Sequence, residues 1–239
     1  RIGGYGRVKR ISFVFRRQFL PIWLTAILIT VTGIVFRQSP IRMLPLYVSL
    51  VIGFLQSRVN RYASLIGGCN AILYAVVYGY YGLYASMVYA ALVSCPLQIL
   101  TFLRWTRHAR ESTTELRVMT GRQRIFTSIA FVAAWGALYA VLSFTDSTYQ
   151  LFDSSITLFG ILITVLTYFA CIEYTVLMIP SGLLSIGLYA AMLRESPEQV
   201  PYLIYSIYSF LCVCVSVRQA RRIYQTQAEE KKKVSIQKG

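Results

Sequence analysis

The sequence predicts an all-α polytopic membrane protein with eight transmembrane helices, and three observations support this fold class. Of its 239 residues 56% are hydrophobic and only 14% are charged, as is typical of multi-pass membrane proteins. The apolar residues form long runs, most of them close to the about 20 residues that a helix needs to cross a bilayer core. The basic residues lie between and beside those runs. The net charge of +15 therefore indicates membrane topology, and the expected partner is the lipid bilayer rather than nucleic acid.

The first two predicted spans differ in how well the sequence defines them. A basic leader, residues 1–17, precedes the apolar run 19–36. No small-residue cleavage site follows this run, so we expect a retained helix rather than a signal peptide. The second span, about 43–55, begins after Pro40 and contains Pro45, which leaves its start open.

Spans three and four, residues 64–80 and 84–103, are joined by a tight turn and are the centre of the prediction. Their polar exceptions recur at helical spacings of three and four; they are Asn70, Tyr74, Tyr78 and Tyr81, then Met87, Ala91, Ser94, Gln98 and Thr101. An amide in lipid is costly, so Asn70 and Gln98 should face protein or a wet cavity. Such a face either binds a polar solute or joins helix to helix by hydrogen bonds.

The second half begins with a polar connection, residues 104–124, which holds the only histidine, His108, expected to be solvated. Four spans follow, at about 125–144, 151–168, 174–193 and 200–217, with Asp146 in a short loop. The basic tail, 218–239, is expected to fray or to lie on the membrane surface.

The distribution of basic residues predicts the orientation of these spans. With eight spans, every Lys and Arg falls on one side of the membrane except Arg37, Arg42 and Arg194. The positive-inside rule then places both termini in the cytoplasm.

An internal repeat divides the chain into five parts. These are a leader with an extra helix (1–42), a first three-helix repeat (43–103), a basic loop with a linking helix (104–150), a second repeat (151–217) and a basic tail (218–239). The segment ILYAVVYG is echoed by GLYAAMLR, which places Tyr74 opposite Tyr189. Because one linking span restores the direction of the chain, the repeats are parallel, and transporters often bind substrate between such repeats.

The second repeat also carries polar stripes. They comprise Asp153, Thr157, Gly160, Thr164 and Tyr168 on span six, Ser181, Ser185 and Tyr189 on span seven, and Tyr205, Ser209, Cys212 and Ser216 on span eight. Polar stripes that converge from both halves of the chain predict a pathway through the membrane that polar side chains line. Asp153, near the end of its span, either belongs to that pathway or is simply wet.

Several function classes are disfavoured. One histidine outside the spans and few intramembrane acids leave little from which to build an enzyme. No G-x4-G-K-[ST] loop is present, so direct use of ATP is not expected. The five cysteines are interpreted as small core residues, and no metal or cofactor is predicted. A membrane binding subunit without transport of its own, and a scaffold whose polar stripes are packing seams, remain alternatives.

Five short patterns resemble a known family. N-x3-Y (Asn70, Tyr74), GLY from Gly82, P-x-Q (Pro96, Gln98) with a following Trp105, D-x3-T (Asp153, Thr157) and the late Tyr189 are similar to those of the PnuC family of bacterial vitamin transporters. The resemblance implies a three-one-three helix arrangement like that of SWEET transporters, a homotrimer and a place in the bacterial cytoplasmic membrane. It also implies facilitated diffusion, by alternating access, of nicotinamide riboside or, in other branches, of thiamine, riboflavin or deoxynucleosides.

The family's W-x2-W-x3-N motif on span seven is replaced here by Thr175, Met178 and Gly182. The predicted substrate-binding residues are therefore a modified set: Asn70, Tyr74, Gln98, Thr157, Met178, Ser181, Ser185 and Tyr189. In this hypothesis Asn70 and Gln98 hydrogen-bond the polar part of the solute. Tyr74 and Tyr189 stack on its ring, since tyrosine combines a flat apolar face with one hydroxyl.

Overall fold

Membrane-length helices account for most of the structure, a computed structural model that describes residues 5–110, 113–145 and 148–238. Asp146 and the first four residues of the basic leader lie outside the described residues. Within those residues seven segments are long and apolar enough to cross a membrane, and Leu20–Val35 adds a shorter apolar stretch. The predicted all-α membrane fold with eight helical spans is confirmed.

The helices and strands follow one another in a simple order. They are α1 (Tyr5–Val35), α2 (Pro40–Ser57), α3 (Tyr62–Tyr80), α4 (Tyr84–Val88), a π-helical segment (Tyr89–Ser94), α5 (Cys95–Arg107), β1 (Ala109–Arg110), β2 (Thr113–Thr114), α6 (Gly121–Leu142), α7 (Gln150–Tyr168), α8 (Glu173–Leu193), a 3-10 turn (Pro197–Gln199) and α9 (Val200–Lys238). The segments α4, π and α5 form one span. Strands β1 and β2 pair antiparallel in a small hairpin.

Local sequence explains two helix starts that the hydropathy pattern left open. Helix α2 begins at Pro40, directly after the extended residue Ser39, because proline is preorganised for the first helical position. It therefore starts three residues before the predicted span. Helix α6 begins with a capping box, in which Thr120 and Gln123 satisfy each other's backbone N–H groups.

Two turns in corresponding places of the predicted repeats share one backbone conformation. Val59, after α2, and Ala170, after α7, both adopt a left-handed conformation, with φ of 54° and 55°. In both turns this residue and the next one close the preceding helix with the same pair of backbone hydrogen bonds, a Schellman motif. The same motif closes α1 and α3, so it is not specific to the repeat, and the pairing of Tyr74 with Tyr189 stays a prediction.

Six spans form a closed ring. Each of α2, α3, the α4–α5 span, α7, α8 and α9 packs on the next, and α9 packs back on α2. Helix α1 packs outside the ring against α9 and α2, and α6 packs outside it against α7. The two repeats therefore meet at two seams, α2 with α9 and α5 with α7.

Apolar cores occupy both ends of the ring. The basic end holds residues 58–61, 108–110, 113–120 and 169–172, and the opposite end holds the turns 36–39, 81–83 and 194–199. The core toward the opposite end includes Met43, Leu46, Leu50, Val77, Leu83, Leu188, Met192 and Tyr202. The core toward the basic end includes Val59, Trp105, Leu116, Leu166, Ala170, Cys171, Tyr174 and Ala220. Polar side chains lie between the two cores.

The expectation that the basic tail frays or lies on the surface is wrong. Helix α9 continues without a break to Lys238, and Gln227 on it is buried. The Gln227 side chain accepts a hydrogen bond from the Leu116 N–H (2.9 Å) and donates one to the Thr114 carbonyl (3.1 Å). The tail thus binds the polar connection that precedes α6, and these paired backbone groups keep the helix in place.

Replacing Gln227 with Ala should lower the stability of the folded protein by about 1–3 kcal/mol, because two buried backbone groups lose their partners. Thermal unfolding of the purified protein in detergent measures this. Gln225→Ala is the matched control, since Gln225 is exposed on the same helix. Equal melting temperatures for the two variants would show that the tail contact contributes nothing.

Candidate functional site

The polar side chains between the two apolar cores form a layer rich in tyrosine. It draws residues from α2, α3, the α4–α5 span, α7, α8 and α9; they are Ser49, Asn70, Tyr74, Tyr78, Tyr89, Thr164, Tyr189 and Tyr205. Polar groups at membrane depth are costly unless they serve one another or a ligand. This layer is therefore the candidate site.

Asn70 is the most constrained member of the layer. Its side-chain amide donates to Ser49 Oγ (2.7 Å) and to the Pro45 carbonyl (3.2 Å), and Ser49 Oγ in turn donates to the Tyr74 hydroxyl (3.1 Å). The residue is only 3% exposed, yet no described residue donates a hydrogen bond to its Oδ1 atom. A buried acceptor without a donor costs about 1–3 kcal/mol, which marks Oδ1 as an atom available to a ligand.

Tyrosines connect this layer to the opposite end of the ring. Tyr80 contacts Tyr81 edge to face, Tyr81 contacts Tyr202 in the same way, and Tyr202 stacks on Tyr189 with ring centroids 5.4 Å apart. We call these four residues the tyrosine row. The Tyr189 side chain lies close enough to those of Tyr74 and Tyr78 to interact with them electrostatically. The row therefore runs from the surface to the layer, and aromatic rings fill the space between them.

The π-helical segment places Tyr89 in the layer. Its ring lies against Gly160, where an added Cβ would come within 2.7 Å of the ring, and its hydroxyl shares a 2.8 Å hydrogen bond with Thr164 Oγ1. Gln98 follows two turns later, and its amide donates to Ser94 Oγ (2.7 Å). The missing side chain at Gly67 leaves the room that Gln98 Oε1 occupies.

Asp153 has a structural role at the seam between the repeats. It is fully buried, and its carboxylate accepts hydrogen bonds from the backbone N–H groups of Ala85 (3.1 Å) and Ser86 (3.0 Å) and from the Ser86 hydroxyl. These are free N–H groups of the first turn of α4, which a carboxylate satisfies well. The interpretation that Asp153 is simply wet is therefore wrong, because α7 uses it to cap a helix of the other repeat.

The structure brings some predicted site residues together and separates others. Asn70, Tyr74 and Tyr189 lie in the layer. Thr157 shares a hydrogen bond of 3.1 Å with the Ser86 hydroxyl and so belongs to the Asp153 cap.

The other predicted residues of α8 are Met178, Ser181 and Ser185. Met178 packs on the apolar core toward the basic end. Ser185 Oγ donates to the Ser181 carbonyl (3.0 Å), so its hydrogen is used within its own helix.

Two members of the layer were not predicted. Ser49 lies on α2, a span whose start the prolines obscured, although it follows Pro45 by four residues, at helical spacing. Tyr89 did not fit the stripe of its helix because the π-helical segment changes the angle between successive side chains. In the sequence, the only sign of this position is that Tyr89 lies in an apolar run seven residues before Pro96, which is too weak to predict a polar site.

A second, polar space lies at the opposite end of the ring, outside the layer. This cleft of about 540 Å³ lies between the α3–α4 turn, the start of α7 and the α8–α9 connection; Tyr80, Tyr81, Tyr84, Tyr149, Glu195, Glu198 and Gln199 line it. Burial and the neighbouring Glu195 carboxylate raise the pKa of Tyr149 to about 12. This phenol therefore stays protonated at neutral pH and remains a hydrogen-bond donor.

Two apolar grooves flank α6 on the outside of the ring, with volumes of about 710 and 660 Å³. Their walls are mainly side chains of α6, α7 and α8, together with residues of the connection that precedes α6. Among the described residues, no three His, Cys, Asp or Glu side chains lie close enough to hold a metal ion.

Comparisons with known proteins identify the family and the fold of the chain. The family model described as nicotinamide mononucleotide transporter matches residues 39–219. No curated protein sequence matches the chain. A crystal structure of the vitamin B3 transporter PnuC is similar in fold, with a TM-score of 0.65 and 20% sequence identity, over 83% of this chain and 91% of that one.

Proposed function

Because the chain belongs to the nicotinamide mononucleotide transporter family, and is a membrane transporter rather than an enzyme, we propose that it carries nicotinamide riboside or a related vitamin or nucleoside by facilitated diffusion. Thiamine, riboflavin and deoxynucleosides are the alternatives. The observation that carries the proposal is the unpaired, buried Oδ1 atom of Asn70 in a polar layer enclosed between two apolar cores. An interior acceptor of this kind matches a solute with amide or hydroxyl donors.

The proposed binding roles follow the contacts in the layer. Asn70 accepts from the solute, and Tyr74 and Tyr189 provide aromatic faces for its ring. Tyr205, beside Ser49 and Ser209, adds a hydroxyl to the sequence-derived set. Gln98 is kept as a polar contact, whereas Thr157, Ser181 and Ser185 support helix packing.

The proposed transport mechanism is alternating access between the two repeats. The tyrosine row obstructs the path toward the opposite end. Toward the basic end, the Trp105 indole donates to the Thr167 carbonyl (3.0 Å) and joins α5 to α7. Opening either seam while the other stays closed would expose the layer to one side at a time.

The proposed setting follows from charge and family resemblance. With the basic end in the cytoplasm, both termini are cytoplasmic and the cleft faces outward. We expect the bacterial cytoplasmic membrane and a homotrimer, and cross-linking of the purified protein tests the number of subunits.

Thermal stabilisation of the detergent-purified protein identifies the substrate class. A ligand that binds only the folded state at a hundredfold excess over its dissociation constant stabilises it by about 2.7 kcal/mol. We expect this for one of nicotinamide riboside, thiamine, riboflavin or a deoxynucleoside, together with uptake of the same compound into proteoliposomes. Absence of both stabilisation and uptake for all four would contradict the proposal.

A further inference from the structure

The cleft at the opposite end of the ring has the chemistry of a binding site of its own. Its volume of about 540 Å³ lies within the range of about 300–1,000 Å³ that small-molecule sites occupy. Four tyrosines line it, together with two carboxylates and one buried amide. These two carboxylates, Glu195 and Glu198, lie outside the polar layer and make no hydrogen bond to its residues.

A planar cation lies against one of the tyrosine rings that line the cleft, although the cation itself does not line it. The Arg42 guanidinium lies 3.5 Å from the centroid of the Tyr80 ring, and it also pairs with Glu198 at 2.9 Å. Cation and ring attract each other because the face of the ring is electron-rich. The cleft therefore combines a cation–π contact with a carboxylate partner, and the rings of Tyr84 and Tyr149 remain without such a cation among the described residues.

One carboxylate of the cleft remains available for a second cation. Arg42 neutralises Glu198, whereas no described cation pairs with Glu195, which is exposed and lies beside the Tyr149 hydroxyl. Arg194 precedes Glu195 in the chain but does not line the cleft. The free charge that faces the cleft is therefore negative.

An unpaired amide oxygen supports a ligand at the same place. Gln199 is only 3% exposed, and no described residue donates a hydrogen bond to its Oε1 atom. It lines the cleft, where this oxygen would accept a hydrogen bond from an amide or hydroxyl group of a solute.

From these observations we infer that the cleft binds planar aromatic cations that carry hydrogen-bond donors. Such solutes would bind there before they pass the tyrosine row. This inference rests on the proposed function and narrows it. Nicotinamide riboside, with its pyridinium ring, and thiamine, with its thiazolium ring, fit the cleft, whereas riboflavin and deoxynucleosides carry no such charge. Selection would begin at the cleft, before the solute reaches Asn70.

The test uses 1-methylnicotinamide, a pyridinium cation, and nicotinamide, its neutral counterpart, as probes for binding to the full-length protein in detergent. We expect the cation to bind more tightly. Glu195→Gln should weaken binding of the cation by about three- to fivefold, the loss expected when a partly exposed charge pair is removed. Glu195→Lys should weaken it further, because it places a like charge beside the cation. Glu229→Gln, which removes an exposed carboxylate from the tail, should change nothing.

Uptake into proteoliposomes adds a second readout. Glu195→Gln should raise the KM for the cationic vitamin and leave the maximal rate unchanged, because only its collection is impaired. Equal binding of both probes, or binding of the cation that Asn70→Ala weakens and Glu195→Gln leaves unchanged, overturns the cleft as a cation site. Failure of the wild-type protein to transport any of the four compounds overturns the proposed function instead, whatever the probes do at the cleft.

Discussion

Replacing Asn70 with Ala should reduce vitamin uptake about five- to thirtyfold, because one buried hydrogen bond to the solute is worth about 1–2 kcal/mol and 1.4 kcal/mol is a factor of ten. The variant should still fold and insert, since the amide's two protein contacts lie on a single neighbouring helix. Initial rates in proteoliposomes, normalised to the amount of folded protein, measure the effect.

Ser49→Ala is the matched control for Asn70. It removes the hydrogen bond between the two residues and a partner of Tyr74 but leaves the Asn70 Oδ1 atom in place. We expect it to lower thermal stability about as much as Asn70→Ala does, with a much smaller loss of uptake. If both variants lost uptake equally, Asn70 would act through the helix contact and not on the solute.

Replacing Asp153 with Ala should destabilise the protein by about 3–5 kcal/mol, the second large effect that we expect. The change leaves the Ala85 and Ser86 N–H groups and the Ser86 hydroxyl without their shared acceptor, and each buried group left unpaired costs about 1–3 kcal/mol. Asp153→Asn keeps one acceptor oxygen and should cost less. Melting temperatures in detergent measure both losses.

The same variants distinguish a cap from an ion-coupling site. If Asp153 only caps α4, uptake per folded molecule by Asp153→Asn should stay close to that of the wild type. Thr157→Val, which removes one hydroxyl partner of Ser86 but keeps the Asp153 carboxylate and the N–H groups that donate to it, should have a small effect on stability. Loss of uptake in Asp153→Asn at an unchanged melting temperature would contradict the cap and favour ion coupling.

The narrower cation hypothesis also explains why the altered motif on α8 need not abolish function. By the family resemblance drawn from the sequence, Thr175, Met178 and Gly182 replace a W-x2-W-x3-N motif. The tyrosines of the layer and of the cleft lie mainly on α3, the α4–α5 span, α8 and α9. We therefore expect recognition of a flat ring to be distributed over several helices.

Prediction from the sequence succeeded for features that depend on short stretches of chain. Hydropathy located the spans to within a few residues at most ends, because the cost of placing polar groups in lipid is local. It failed for the tail, where polar side chains predicted an unpacked end. Gln227 shows the reason: its partners, Thr114 and Leu116, lie more than a hundred residues away in the chain.

The sequence alone thus determined the positions of the spans and the stripes that carry Asn70, Tyr74 and Tyr189, whereas the cytoplasmic side and the repeat stay predictions. Only the tertiary structure decided which of these groups bind one another and which stay unpaired. Asn70 retains a free oxygen and Asp153 does not, although both are polar residues in apolar helices. The difference depends on how each helix is rotated against its neighbour, and contacts between helices, rather than composition, fix that rotation.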